Sequence, residues 1–166
     1  MTTKSASIVK VLMLLFTIHC SLFTSFAQGW PENYGGVMLQ GFYWDSYNDS
    51  RWVILEKQVN DLASNFDLIW IPQSGNCGGQ SMGYDDLYWF TNYSSSFGDE
   101  AQLRSMIQSF KAAGLGTIAD VVINHRRDMG HWTDFPAETY NGVTYEMTYN
   151  DICSNDEAAK NGHEVG

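Results

Sequence analysis

Asn124 and His125 stand side by side directly after the apolar residues Val121-Val122-Ile123. An amide oxygen at such a place can ligate a hard cation, and an imidazole beside it can donate a hydrogen bond to a ligand. The same pair serves equally well as a helix cap or a turn. Two further sets of residues occupy comparable places. Trp44 and Asp45 follow the apolar run 37–43, and Gly83-Tyr84-Asp85-Asp86 lies in the connection after residues 68–71. Rings at Tyr84, Tyr88, Trp89, Phe90, Tyr93 and Phe97 offer faces on which a sugar can stack. Trp89 and Phe90 read better as packing residues, and Tyr84, between Gly83 and acids, as exposed. His125, Asp128 and His131 are all metal-ligating types, but no helix fixes their spacing. Carboxylates are plentiful, yet spacing places no pair of them as an acid/base couple. There is no Gly-rich phosphate loop, no Gly-x-Ser-x-Gly elbow and no nucleotide fingerprint.

The elements that must position these residues alternate in type. Residues 37–43, after Gly35-Gly36, read as a strand. Asp49-Ser50 offers an N-cap for a helix over 51–65, whose Trp52, Leu55, Val59, Leu62 and Ala63 share one face. Residues 68–71 read as a second strand, stopped by Pro72. A long Gly/Ser/Tyr-rich connection covers 72–98. Asp99 then caps a second helix with Leu103, Met106, Ile107 and Phe110 on one face, and Gly114 ends it. Residues 117–123 read as a third strand, nearly all apolar, as a parallel strand covered on both faces would be. This order implies parallel pairing with right-handed crossovers, an α/β class. Three such strands fit either half of a doubly wound sheet or the first part of a (β/α)8 barrel, which takes about 250 residues when complete. Residues 126–166 are polar and without a clear period, with at most a strand at 143–149. In both architectures ligands bind beyond the carboxyl ends of the strands, where the three residue sets lie.

Composition narrows the function classes. The chain has 166 residues, 9 Lys+Arg against 19 Asp+Glu, and a formal charge of −10, which opposes nucleic acid and anionic membranes. Hydrophobic content of 44% with 17% charged residues excludes a disordered chain. Lys4 and Lys10 precede an apolar stretch at 11–18, and Ser25-Phe26-Ala27 supplies small residues before Gln28. These are the marks of a secretory signal peptide over 1–27, sending the chain to the periplasm or outside the cell. A lipoprotein anchor on Cys20 matches less well, since Thr17-Ile18-His19 lacks the small residue that such processing wants. No apolar run reaches the roughly 18 residues of a transmembrane helix. Removal of the leader leaves Cys77 and Cys153, which either pair or remain free.

Asp120-Val121-Val122-Ile123-Asn124-His125 resembles the strand-three signature of the alpha-amylase family of glycoside hydrolases. Gln40-Gly41-Phe42-Tyr43-Trp44-Asp45 resembles strand one of the plant-type members, and Ile69-Trp70-Ile71-Pro72 their strand two. Gly83-Tyr84 resembles their sugar-stacking tyrosine, and Phe97-Gly98 the start of the following helix. All occur in the family's order over about residues 34–132. The resemblance implies a TIM-type barrel, with about three β/α units in 28–125 and the start of the domain inserted after strand three in 126–166. It implies retaining endo-hydrolysis of α-1,4-glucosidic bonds in starch-like glucans by two carboxylates about 5–5.5 Å apart.

By the same resemblance Tyr84 stacks on the sugar at the cleavage point, and His125 hydrogen-bonds that sugar. The resemblance also implies that Asp120 orients the floor of the site; Trp44 is a further candidate for substrate binding, as a stacking ring. Asn124 ligates a structural calcium, which takes about 6–8 oxygens. Ile152-Cys153-Ser154-Asn155-Asp156 resembles a segment of the inserted domain, making Asp156 a further calcium ligand. The family's catalytic carboxylates come from strands four, five and seven, and none falls within these residues. The implied reading is therefore an N-terminal fragment that binds and does not cleave. Gln73-Ser74-Gly75-Asn76-Cys77 departs from the Pro-rich sequence that often follows strand two in plant-type relatives. A non-catalytic glucan-binding protein and a self-contained α/β domain of unrelated function are the rival readings. Oligomeric state is not fixed by the sequence.

Overall fold

Strand β2 (Leu68–Ile71) runs between β1 (Met38–Gln40) and β3 (Gly116–Ala119), and both neighbours pair with it in parallel. The computed structural model describes residues 33–127 and 132–166. Gly36–Gly166 form one unit, and the fold is that of this unit. The segment 1–27 expected as a signal peptide, with Cys20, and the residues Asp128 and His131 lie outside the described residues.

Register is set from Met38 opposite Leu68 to Gln40 opposite Trp70, and from Leu68 opposite Gly116 to Ile71 opposite Ala119. One more bond, from Gly41 N–H to the Trp70 carbonyl at 2.8 Å, carries the first ladder past β1. Alternate residues Ile69 and Ile71 of β2 are almost fully buried. They meet Trp52, Phe97, Met106, Phe110 and Leu115 in one apolar cluster. Each such side chain contributes about 1.5–3 kcal/mol by leaving water.

Helices α1 (Trp52–Lys57) and α2 (Val59–Asn65) follow β1, and α3 (Glu100–Ala112) follows β2. The single helix expected over 51–65 is thus parted at Gln58, whose N–H reaches only to Leu55, three residues back. Nor do Asp49 and Ser50 cap it. The N-cap is Arg51, without a side-chain cap bond, and the Trp52 N–H is satisfied by the Phe97 carbonyl at 2.9 Å. Asp49 instead accepts from the Tyr43 hydroxyl, and Ser50 donates to Ser46. In α3 the expected cap is present. Asp99 accepts from the Gln102 N–H at 2.9 Å, while the Gln102 side chain accepts from the Asp99 N–H. The helix ends in a Schellman turn, with Gly114 at φ +82° and the Leu115 N–H on the Phe110 carbonyl.

Two strands are shorter than their apolar runs. Strand one covers only Met38–Gln40 of the expected 37–43, and strand three is Gly116–Ala119 in place of 117–123. Pro72 ends β2 one residue after the pair Ile71–Ala119, so among the described residues β3 has no partner further on. Val121 and Ile123 are consequently 66% and 76% exposed, not covered on both faces. With Leu103 and Ile107 they line an apolar groove of about 610 Å³.

The polar C-terminal part is more ordered than its sequence suggests. β4 (Glu138–Tyr140) and β5 (Val143–Tyr145) form an antiparallel hairpin. The turn between them is Asn141-Gly142, both with positive φ, as a type I′ turn demands. The strand expected over 143–149 stops at Tyr145, and a 3-10 turn at Tyr149–Asp151 precedes α4 (Glu157–Lys160). Cys77 is buried, Cys153 is exposed, and both are free. Among the described residues no helix is long and apolar enough to cross a membrane.

An unpaired strand end beside an apolar groove is a template for another chain. The isolated chain should therefore self-associate as its concentration rises. Val121→Thr combined with Ile123→Lys should move it towards monomer in size-exclusion chromatography with light scattering. An unchanged distribution would show that this edge is not the contact.

Candidate functional site

Beyond the carboxyl ends of β1, β2 and β3, three short segments bring an aromatic pair, a carboxylate and an imidazole together. After β1, Phe42 packs edge-on against Trp70, with centroids 5.2 Å apart. Buried Ser46 accepts from the Tyr43 N–H at 3.2 Å, and Asp45 turns the chain with φ +64°. A left-handed non-glycine residue is uncommon and marks a turn held by its surroundings. Trp44, just before this turn, is left 70% exposed. After β2, Gly83 has φ +103°, and a Cβ there would lie 2.3 Å from the Cβ of Gln73. Only glycine fits, and it delivers Tyr84 to the surface.

The rings of Trp44 and Tyr84 lie parallel, 4° between planes and 6.1 Å between centroids. The Tyr84 hydroxyl donates to Asp120 Oδ2 at 3.3 Å, and Asp120 follows the last residue of β3. Burial, together with the Asp120 charge, raises the Tyr84 phenol above its ordinary pKa, so it stays a donor. His125 Nε2 lies 2.8 Å from the Tyr84 carbonyl oxygen. A carbonyl only accepts, so Nε2 carries the proton and leaves Nδ1 as the acceptor of the neutral ring. The His125 donor is therefore committed to holding Tyr84 in place. Exposed apolar rings stack on the C–H faces of a sugar by burial and dispersion. The flanking Asp120 and His125 add polar atoms at the rim.

Behind this platform a buried polar network fixes the loop that carries Tyr84. Asp86 is 1% exposed and accepts from the side chains of Gln73 and Cys77. Burial pushes its carboxyl up to about 6, against a smaller lowering by the Cys77 bond and the Arg126 charge. Burial likewise pushes the Cys77 thiol up to about 12, so it is an inert neutral group. The Arg126 guanidinium sits 5.1 Å from the Trp89 ring centroid and 4.9 Å from that of Phe135, and donates to the Leu87 carbonyl. Arg127 ties the same loop through the Cys77 and Asp86 carbonyls. Glu138, at the start of β4, accepts from the N–H groups of Phe90, Thr91 and Asn92 at 3.0, 2.6 and 2.8 Å. Its burial raises the pKa, but these backbone donors outweigh it and hold the carboxyl below its ordinary value.

Of the residues singled out from sequence, Trp44, Tyr84, Asp120 and His125 are brought together. Asn124 is exposed beside them, and its side chain has no hydrogen-bond partner among the described residues. Asp156 caps α4 by accepting from the Ala158 N–H at 2.9 Å. Among the described residues no three of His, Cys, Asp and Glu gather as metal ligands. Trp89 and Phe90 pack as expected, on Arg126 and on Tyr145. Sequence reasoning missed the bracing roles of Asp86, Arg126 and Glu138. The pair Asp85-Asp86 was visible, but nothing in it says which acid is buried.

Comparison with known proteins adds relatives of one kind. The chain is 32% identical over 94 residues to "Alpha-amylase 3, chloroplastic" of Arabidopsis thaliana, covering 54% of this chain and 10% of that protein. It is 35% identical over 96 residues to "Probable alpha-amylase 2" of the same plant, covering 54% of this chain and 22% of the other. With "Glucan 1,4-alpha-maltotetraohydrolase" of Roseateles saccharophilus it shares 33% over 100 residues, 54% of this chain and 18% of that one. The chain thus spans less than a quarter of the length of each of these relatives. Among solved structures, trehalose-6-phosphate hydrolase of Bacillus licheniformis has TM-score 0.41 and 18% identity, over 46% of this chain and 14% of that one. No protein-family model matches the chain.

The Asp86 carboxyl gives the site a pH signature. Its native pKa lies above the ordinary 3.8, so ionisation opposes the fold, and the loop loses stability as pH rises from about 4 towards 6. The Gly75 and Cys77 amide resonances should titrate with a midpoint near 6, and Asp86→Asn should abolish the transition. A midpoint near 4 would contradict the burial.

Proposed function

We propose that this chain, a relative over about half its length of the alpha-amylase-type glycoside hydrolases, forms the sugar-holding face of such an enzyme and binds starch-like α-glucan. The observation that carries the proposal is the exposed parallel pair Trp44 and Tyr84, with Tyr84 fastened to Asp120 and His125. Tyr84 and Trp44 stack on glucose units. Asp120 orients the Tyr84 hydroxyl and does not react. His125 holds the Tyr84 backbone, leaving Nδ1 for a sugar hydroxyl.

In the whole enzyme the reaction is retaining endo-hydrolysis of α-1,4 bonds. One carboxylate attacks the anomeric carbon, and another protonates the leaving oxygen and later activates water. Neither carboxylate is among these residues. In this proposal the sheet is the first part of a TIM-type barrel, the groove beside β3 receives the next strand, and residues 126–166 begin the domain inserted after strand three. The segment 1–27 exports the protein to the periplasm or beyond.

Calcium is proposed as a structural ion. The fit of the chain to it is partial: Asn124 offers an uncommitted amide oxygen, and Asp156 retains one carboxylate oxygen outside its cap bond. Calcium takes about 6–8 oxygens, so most ligands come from other parts of the protein.

Titration of the chain with maltotriose should give saturable binding, weakened by about ten-fold or more in Trp44→Ala and in Tyr84→Ala. The same sample should release no reducing sugar from soluble starch, with or without calcium. Turnover by this chain would contradict the assignment of the carboxylates elsewhere. Absence of binding would remove the platform.

A further inference from the structure

We infer that a second sugar subsite lies in a polar hollow of about 520 Å³, built on the same two connections as the aromatic pair and lined by Tyr47, Asn48, Arg51, Asn76, Gln80 and Ser94. It takes the hydroxyls of further glucose units of the same glucan, and so rests on the glucan reading above. Its walls are held from within. The Asn76 N–H donates to the Asn92 carbonyl at 3.0 Å, and Asn76 Oδ1 accepts from the Gly78 N–H at 2.7 Å. On the other wall Ser96 Oγ accepts from the Ser81 N–H at 2.8 Å and donates to the Gly79 carbonyl.

The groups that face the hollow are not committed in this way. Asn48, Arg51, Gln80 and Ser94 are exposed, and their side chains have no hydrogen-bond partner among the described residues. Fixed walls with open donors and acceptors are pre-organised for a ligand that is both donor and acceptor. Vicinal sugar hydroxyls have that chemistry. An anion fits less well, because the single cation of the lining, Arg51, is opposed by Asp45 and Asp85, which both act electrostatically on Tyr47. The Tyr47 ring is packed on Phe97, 6.1 Å between centroids, and supplies an apolar side to the hollow. Trp44 and Tyr47 share one loop, and Gln80 and Tyr84 share another. The platform and the hollow are therefore carried by the same two segments, and the subsite takes glucose units of a chain longer than the one the platform holds.

The test compares maltotriose with maltoheptaose by calorimetric titration of the full chain and of Arg51→Ala and Gln80→Ala. Both variants should bind maltoheptaose about ten-fold more weakly, with maltotriose affinity changed by less than about two-fold. Far-UV circular dichroism must match the parent, and if Arg51→Ala misfolds, Gln80→Ala carries the test. Unchanged affinity for both sugars in both variants would overturn the subsite and leave the aromatic platform standing. Equal losses for the two sugars would also overturn it. Failure of the parent chain to bind either sugar would remove the glucan reading and the subsite with it. Displacement of maltoheptaose by millimolar inorganic phosphate would overturn the subsite in favour of an anion site.

Discussion

The pairing of β2 with β1 on one side and β3 on the other puts three carboxyl ends at one edge of the sheet. Whatever residue comes next in each segment is then a neighbour of the other two, however far apart they stand in sequence. That edge places Trp44 and Asp120, and the loop after β2 brings Tyr84 to both of them. The pairing in turn depends on Ile69 and Ile71, which fasten the central strand to the cluster around Trp52, Met106 and Phe110. A slip of one residue in β2 would turn those two side chains to the other face and dissolve the site with the core.

A parallel sheet positions strand ends, but it does not by itself fix a loop as long as 72–98. That task falls to buried polar groups. Glu138 gathers three backbone N–H groups of residues 90–92, and Gln73 and Cys77 both donate to Asp86 beneath Gly83. Arg126, between two rings, places a positive charge near both Asp86 and Glu138. Such a network has a cost, visible in the raised Asp86 carboxyl. In return the turn at Gly83 holds the Tyr84 ring parallel to Trp44.

Much of this was legible in the residues. β2 lies where its apolar run and Pro72 put it, and α3 begins and ends at Asp99 and Gly114, because caps and breakers are local chemistry. The ends of β1 and β3 were not legible. Apolar residues at 121–123 signal burial, but whether they are buried depends on a pairing partner that local sequence does not contain. The parting of the helix at Gln58 has no sequence signal that we recognise. The hairpin at Asn141-Gly142 does have one, in the dipeptide itself, but flanking strands of 3 residues are too short to show an alternating pattern. At the site, rings and the Asn-His pair were conspicuous by type. The carboxylates that brace the loop were not, since burial of one acid in Asp85-Asp86 is decided by contacts with Gln73 and Cys77.

The central claim is that a glucose unit lies against Trp44 and Tyr84. Saturation-transfer difference NMR tests this most directly, with irradiation of the aromatic protons and detection on maltotriose. The account predicts strong transfer to the sugar C–H protons of one ring face, and its loss in Tyr84→Ala. Transfer that persists undiminished in Tyr84→Ala and in Trp44→Ala would place the sugar elsewhere and contradict the account.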